Sequence, residues 1–196
     1  ETLPTPLVPI VNRPVMAVAV EILARAGYKD LLVSLCNRGG RIASYFGNGS
    51  RWGVEIEYLI QREGWGSAGA LAWAGQLLTE TVLVLPADSI IDLDVDAALA
   101  FHRAHGGIAT MILHDPAGDR AAHPVYLGES DLVHGMGADQ PDRRALAHTG
   151  AFLFEPRVLQ YIPNRTCFDS YSQLVPALLS AGEQVYGYHM LEYWNG

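Results

Sequence analysis

Apolar positions along the chain change period repeatedly, and the changes mark out the elements. Val15, Val18, Ile22 and Leu23 recur at helical spacing, with Ala17, Ala19 and Ala24 between them. They predict a helix with Asn12 as its cap, Pro14 in its first turn and Gly27 at its end. Asp30 to Leu35 reads as a strand, and 39–47 as a short helix with Ile42, Tyr45 and Phe46 on one face. After the turn Gly47-Asn48-Gly49-Ser50, Val54 to Ile60 begins with the strict alternation of a strand. A glycine-bearing loop, 61–70, leads into an Ala/Leu-rich helix over 68–78. Thr81-Val82-Leu83-Val84-Leu85 is a continuous apolar run of the kind a short, fully buried strand shows; it stops at Pro86 and then presents Asp88. Asp94-Val95-Asp96 caps a helix through His102, and 108–113 is another apolar strand. The stretch 115–144 is rich in Gly, Asp, His and Pro, with brief apolar runs at 125–127 and 132–133, and reads as an insertion or a short hairpin. A strand over 145–154, a short helix over 156–161, an amphipathic helix over 170–181 and a last strand over 185–191 complete the chain. Strand and helix alternate through the first 115 residues, which argues a parallel-rich sheet with helices on both faces.

Composition narrows the class. At 196 residues the chain can bury a full core as one domain, and 49% hydrophobic against 17% charged residues is a globular balance. A net charge of −8 argues against a non-specific nucleic-acid binder, which needs a basic surface, but leaves room for a phosphorylated ligand held by local positive charge. Cys36 and Cys167 make neither a disulfide framework nor a zinc pattern and read as two buried thiols in a reducing compartment. No apolar run reaches the ~18 residues of a membrane span, and no signal peptide is visible, so a cytoplasmic protein is expected. The chain begins with Glu1 and stops after Tyr193-Trp194-Asn195-Gly196, which reads as part of a longer protein.

Asp88 is the first candidate for chemistry. Ligands of open α/β sheets bind outside the carboxyl ends of the strands, where a carboxylate is a candidate metal ligand. An Asp capping the following turn is the alternative, and the residues alone leave both open. Other chemistries find less support. Ser67 lacks a Gly-x-Ser-x-Gly elbow because Trp65 stands in the first glycine position. Asp92, Asp94 and Asp96 lack the glycine and glutamate of a calcium loop and read as helix capping. The seven histidines form no ligand pattern and read as structural or surface residues.

A set of short motifs in order is more specific than any one of them. Leu7-Val8-Pro9-Ile10-Val11-Asn12-Arg13-Pro14, Phe46-Gly47-Asn48-Gly49-Ser50 with Trp52 to Tyr58, Gly66-Ser67-Ala68-Gly69-Ala70-Leu71, the strand ending at Asp88, and Thr149-Gly150 before a strand together resemble the sugar-1-phosphate nucleotidylyltransferases, most closely the mannose-1-phosphate guanylyltransferase-like branch. The resemblance runs over nearly the whole chain. It implies a three-layer α/β/α, Rossmann-like nucleotidyltransferase fold with a mixed, mainly parallel sheet. It also implies one nucleotidyltransferase domain over 1–196, without the family's first strand and Gly-rich loop.

The activity implied is nucleotidyl transfer from a nucleoside triphosphate to a sugar 1-phosphate, giving a nucleotide sugar and pyrophosphate. By the same resemblance Asp88 is the catalytic metal ligand for Mg²⁺, Gln61, Gly66 and Ser67 bind the nucleotide, and Thr149 and Gly150 bind the sugar. No nucleic acid or membrane partner is implied, and assembly into a homo- or hetero-oligomer is left open. The sequence departs from the family pattern at several points. Thr5 stands in the Pro-Lys-Pro position, the Glu-Lys-Pro run has no counterpart in 115–144, Pro124 replaces a glycine near the sugar, and Gly196 falls where the second metal Asp is usual. Lys29 is the one lysine and reads as a surface charge; Arg13, Arg62, Arg143 and Arg144 are among the arginines available in place of the family lysines. The departures keep a second class in view, a catalytically degenerate nucleotide-sugar-binding homologue that pairs with an active subunit.

Overall fold

The computed structural model describes residues 3–36, 39–61, 64–116, 123–137 and 144–190. In chain order its elements are β1 (Pro9–Ile10), β2 (Arg13–Pro14), α1 (Val15–Arg25), β3 (Asp30–Leu35), α2 (Gly40–Phe46), β4 (Glu55–Ile60), α3 (Gly66–Trp73), β5 (Val82–Val84), α4 (Val95–His105), β6 (Ala109–His114), β7 (Pro124–Leu127), β8 (Val133–Met136), β9 (Leu146–Phe154), α5 (Val175–Ser180) and β10 (Val185–His189). The main sheet runs β10-β6-β9-β7-β8, with β5 also paired to β9. β10 and β6 are parallel, and β9 runs antiparallel to β5, β6 and β7. β3 and β4 form a separate parallel pair. The result is a mixed sheet with helices on both faces.

Strand periodicity explains the layers. Met111 and Leu113 of β6 and Phe152 and Phe154 of β9 point to one face, where they pack with Ala68 and Leu71 of α3 and Val175 and Leu178 of α5. Ile112 and Leu153 point to the other face, toward Ile22 of α1 and Val95 and Ala98 of α4. All six residues of β6 are buried, which is why Met111, Ile112 and Leu113 run together without polar alternation. Met16, Ala17 and Val20 of α1 also pack on Leu35, Ile42, Phe46 and Ile56, so α1 ties the β3–β4 pair to the rest. A polar clamp fastens the end of the main sheet opposite its carboxyl ends. His102 of α4 is hydrogen-bonded to Thr110 at 2.8 Å and to Glu155 at 2.9 Å, and Thr81 donates to the same carboxylate at 2.6 Å. Burial pushes the Glu155 carboxyl up, but the hydrogen bonds from Thr81 and His102 outweigh it and hold it below the usual range.

Several local expectations change. Asn12 does not cap α1. It sits with Val11 at the tip of a hairpin in which Ile10 pairs with Arg13, both tip residues have positive φ, and Pro14 precedes the helix. Asn suits either position, so the local signal could not choose. β5 is half-buried rather than fully buried, since its described pairing is on one side only. The helix predicted over 68–78 starts earlier and breaks into a 3-10 turn at Gly75–Leu77. The helix at 170 opens as a π-helix, Ser170–Leu174, before α5. Cys36 and Cys167 are exposed, against the expectation of buried thiols. Asp94 caps α4 as expected, accepting from the Ala97 N–H at 2.9 Å. Among the described residues no helix is long and apolar enough to cross a membrane.

Candidate active site

The site is built around an interruption in β9. On the β6 side His148 pairs with Leu113 and Phe152 with Met111, so Thr149, Gly150 and Ala151 together face Ile112. Such a bulge re-aims a strand. Thr149 makes up for the lost ladder bonds. Its hydroxyl donates to the Ile112 carbonyl at 2.8 Å and accepts from the Ala151 N–H at 3.1 Å. On the other side of β9, β5 pairs only as far as Phe152 and β7 begins at Ala147. Residues 148–151 therefore lie in a gap between the carboxyl end of one strand and the start of another.

The turn that carries Asp88 meets that gap through Pro86. After Val84 the chain leaves the sheet in a turn, and Pro86 packs on Gly150, where a Cβ would come within 3.1 Å of the proline ring. Gly150 also has φ +89°, so glycine is required there on two counts. The contact brings the predicted Asp88 turn and the predicted Thr149–Gly150 pair to one edge. Asp88 is exposed and makes no hydrogen bond or ion pair with any described residue.

Further residues lie around the same gap, and of these only Arg144 is singled out by sequence. His148 stacks on Tyr171, with ring centroids 5.1 Å apart and 13° between planes, also lies 4.6 Å from the Phe152 ring, and accepts at Nδ1 from the Gly150 N–H at 3.3 Å. His123, just before β7, lies 5.0 Å from Tyr171, whose hydroxyl donates to the Pro124 carbonyl at 3.1 Å. At the ends of β6 and β10, Asp115 pairs with Arg144 and lies 3.4 Å from His189. The signal for His148 was its place beside Thr149–Gly150. Nothing local marks Tyr171.

Burial, reinforced by the neighbouring His123, pushes the His148 imidazole down from 6.5 to about 4. The unfolded chain takes that proton near pH 6.5 and the native protein refuses it until about pH 4, so stability is full above 6.5 and falls as pH drops. The loss approaches 3 kcal/mol by pH 4, at up to about 1.4 kcal/mol per unit. Urea unfolding of His148→Phe across this range is expected to show a flatter slope than the parent. Identical slopes would show that another group carries the dependence.

Gln61, Gly66 and Ser67 gather at the start of α3, and each is engaged within the fold. The buried Gln61 side chain donates to Ser34 Oγ at 2.6 Å and accepts from the Trp65 N–H at 3.2 Å. Ser67 donates to Asp169 at 3.0 Å and accepts from the Ser170 N–H at 2.8 Å. The Phe168 carbonyl accepts from the N–H groups of Ala68 and Gly69, capping two of the helix's four free donors. Gly66 has φ +71°, and a Cβ there would lie 2.6 Å from that same carbonyl oxygen. Burial pushes the Asp169 carboxyl up, but hydrogen bonds from Ser172, Ser67 and the Tyr171 backbone hold it below its ordinary value. Segment 168–171 thus joins the two groups of predicted residues, touching α3 through Phe168 and Asp169 and β9 through Tyr171.

Among the described residues no three His, Cys, Asp or Glu side chains come together to enclose a metal. An exposed, unpaired carboxylate at a strand end still fits Mg²⁺, which binds through one or two acids and completes its shell with water and substrate phosphates. Gly196, Asn195, Arg62 and Arg143 lie outside the described residues. Thr5 is exposed in a short 3-10 turn, and Lys29 is exposed.

Comparison with known proteins decides the family. The nucleotidyl transferase family model matches residues 1–195. The chain belongs to the nucleotidyl transferase family. Among curated relatives, the UTP–glucose-1-phosphate uridylyltransferase of Synechocystis is 31% identical over 98% of the chain, and the mannose-1-phosphate guanylyltransferase of Mycobacterium tuberculosis 29% over 98%. The chain spans about half the length of these relatives, 54% in each case. Among solved structures, HddC of Yersinia pseudotuberculosis complexed with GMP-PN superposes with a TM-score of 0.82 over 98% of this chain and 84% of that one, at 14% identity. A putative glucose-1-phosphate thymidylyltransferase of Bacillus anthracis gives 0.80 over 97% and 79%, at 20% identity. These likenesses establish the nucleotidyl transferase fold.

Proposed function

We propose that the protein transfers a nucleotidyl group from a nucleoside triphosphate to a sugar 1-phosphate. One observation carries the reading: the turn that bears the exposed Asp88 touches the Thr149–Gly150 bulge through Pro86, where β5 ends and β7 has not begun, the kind of crevice in which an open sheet takes its ligand. An oxygen of the sugar phosphate attacks the α-phosphorus in line. The new P–O bond forms as the bond to pyrophosphate breaks, and pyrophosphate leaves with the electron pair.

Positioning does most of the work in such a transfer. Thr149 and Gly150 seat the sugar, and Gly66 and Gln61 frame the nucleotide at α3. Arg144, held by Asp115, is the described cation at the same rim that can meet phosphate oxygens. Asp88 is the residue proposed to hold Mg²⁺, which when bound offsets the charge of the phosphates. The relatives' printed names divide between uridylyl and guanylyl transfer, and the mannose-1-phosphate guanylyl pair is the proposed specificity, following the motifs of that branch.

The test is pyrophosphate release by the full-length protein with Mg²⁺, four nucleoside triphosphates and a panel of sugar 1-phosphates. Release with one pair is expected and names the substrates. Binding of a nucleotide sugar without release would overturn the catalytic reading in favour of a degenerate binding homologue.

A further inference from the structure

Away from the Asp88 rim, a groove of about 600 Å³ runs between α1 and the 3-10 turn Ser50–Trp52. It shares no lining residue with the rim. Arg13, Arg25 and Arg51 open into it, with Glu21 as the one acid, Trp52 as a wall and Val18 toward its floor. Three arginines converging on one hollow stand out in a chain of net charge −8.

The arginines are held rather than loose. The Arg51 guanidinium lies 3.9 Å from the Trp52 ring centroid and 4.7 Å from that of Tyr45, and donates to the Tyr45 carbonyl at 3.4 Å. Stacking on two rings fixes the plane of the fork while leaving other N–H donors to act. Arg13 spends one nitrogen on Glu21, at 2.9 and 3.1 Å. It follows directly on the hairpin tip, where Val11 is 88% exposed at φ +48°, a conformation a β-branched residue adopts only at a cost. Arg25 donates its Nε to the Glu21 carbonyl at 3.3 Å and also borders a smaller hollow carrying Asp92, Asp94 and Asp96, so part of its charge is answered there.

We propose that this groove binds a phosphate-bearing small molecule at a site separate from the Asp88 rim. Forked, pre-oriented guanidinium groups match phosphate oxygens two at a time, and the volume suits a ligand the size of a nucleotide. The proposal goes beyond the catalytic reading and does not need it.

Calorimetric titration of the full-length protein with inorganic pyrophosphate and, separately, GTP, both in EDTA, tests it. Arg51→Ala and Arg13→Ala are expected to weaken binding about tenfold or more each, Arg51→Lys by less, and Arg157→Ala, which pairs with Glu183 away from both groove and rim, not at all. Parallel losses for pyrophosphate and GTP would identify the phosphates as the recognised group, and a loss confined to GTP would assign the ligand as a nucleotide. Binding that survives both groove variants but vanishes in Arg144→Ala would overturn the proposal. So would a dimer that dissociates in Arg51→Ala with no anion bound, which would make the groove a contact between two copies. Pyrophosphate release by the same variants reports separately on the catalytic reading.

Discussion

Asp88→Asn is expected to cut pyrophosphate release by about 10³-fold or more while the protein stays folded. The two side chains have nearly the same shape, and Asp88 is exposed with no described partner to lose. What the amide cannot do is hold Mg²⁺ as a hard anionic oxygen does. The melting temperature should therefore remain within a degree or two of the parent, as for surface substitutions in general. The measurement is turnover at saturating substrates beside a thermal melt. Unchanged turnover would sink the metal assignment. A large drop in melting temperature would show that Asp88 serves the turn instead, the capping role the sequence left open.

Gly66→Ala should act on the fold itself. The new methyl would meet the Phe168 carbonyl at 2.6 Å, and Ala would have to hold φ +71°. The left-handed conformation costs roughly 1–2 kcal/mol, and forcing a methylene into packed backbone roughly 1–3 more. For a chain of this size the sum, about 2–5 kcal/mol, corresponds to roughly 4–20 °C in melting temperature. Gly27→Ala is the matched control, because Gly27 has φ +87° with nothing within 4 Å. If both variants melt together, the Phe168 contact is not what excludes a side chain. If Gly66→Ala falls much further, the loss should extend to nucleotide binding, since Gly66 packs on Phe168 and Ser67 is hydrogen-bonded to Asp169 and Ser170.

The contrast between Asp88 and Gly66 shows what the sequence can display. Asp88 stands out as a candidate because its signal is local: an apolar run ends and a carboxylate follows. The strand–helix alternation was legible for the same reason, and so was the cap at Asp94. Gly66 was legible as a position, but the closest backbone to it belongs to Phe168, which no local pattern connects to it. Ser67 likewise answers to Asp169, 102 positions away. Half-burial of β5 was hidden because a strand's sequence reports its apolarity and not the number of its neighbours. Tyr171 was hidden because an aromatic on an amphipathic helix reads as core, and only the fold lays it against His148.

β9 is the described sheet partner of β5, and the clamp from Thr81 to Glu155 spans 74 positions of chain. During synthesis on the ribosome, β5 and its Asp88 turn emerge long before the strand that holds them. Until residue 154 has been made and β9 has docked, Val82, Leu83 and Val84 lack this antiparallel partner. The edge that carries Asp88 is thus joined to β9 late in synthesis, and the nascent chain is more open to aggregation and to chaperone capture in that interval.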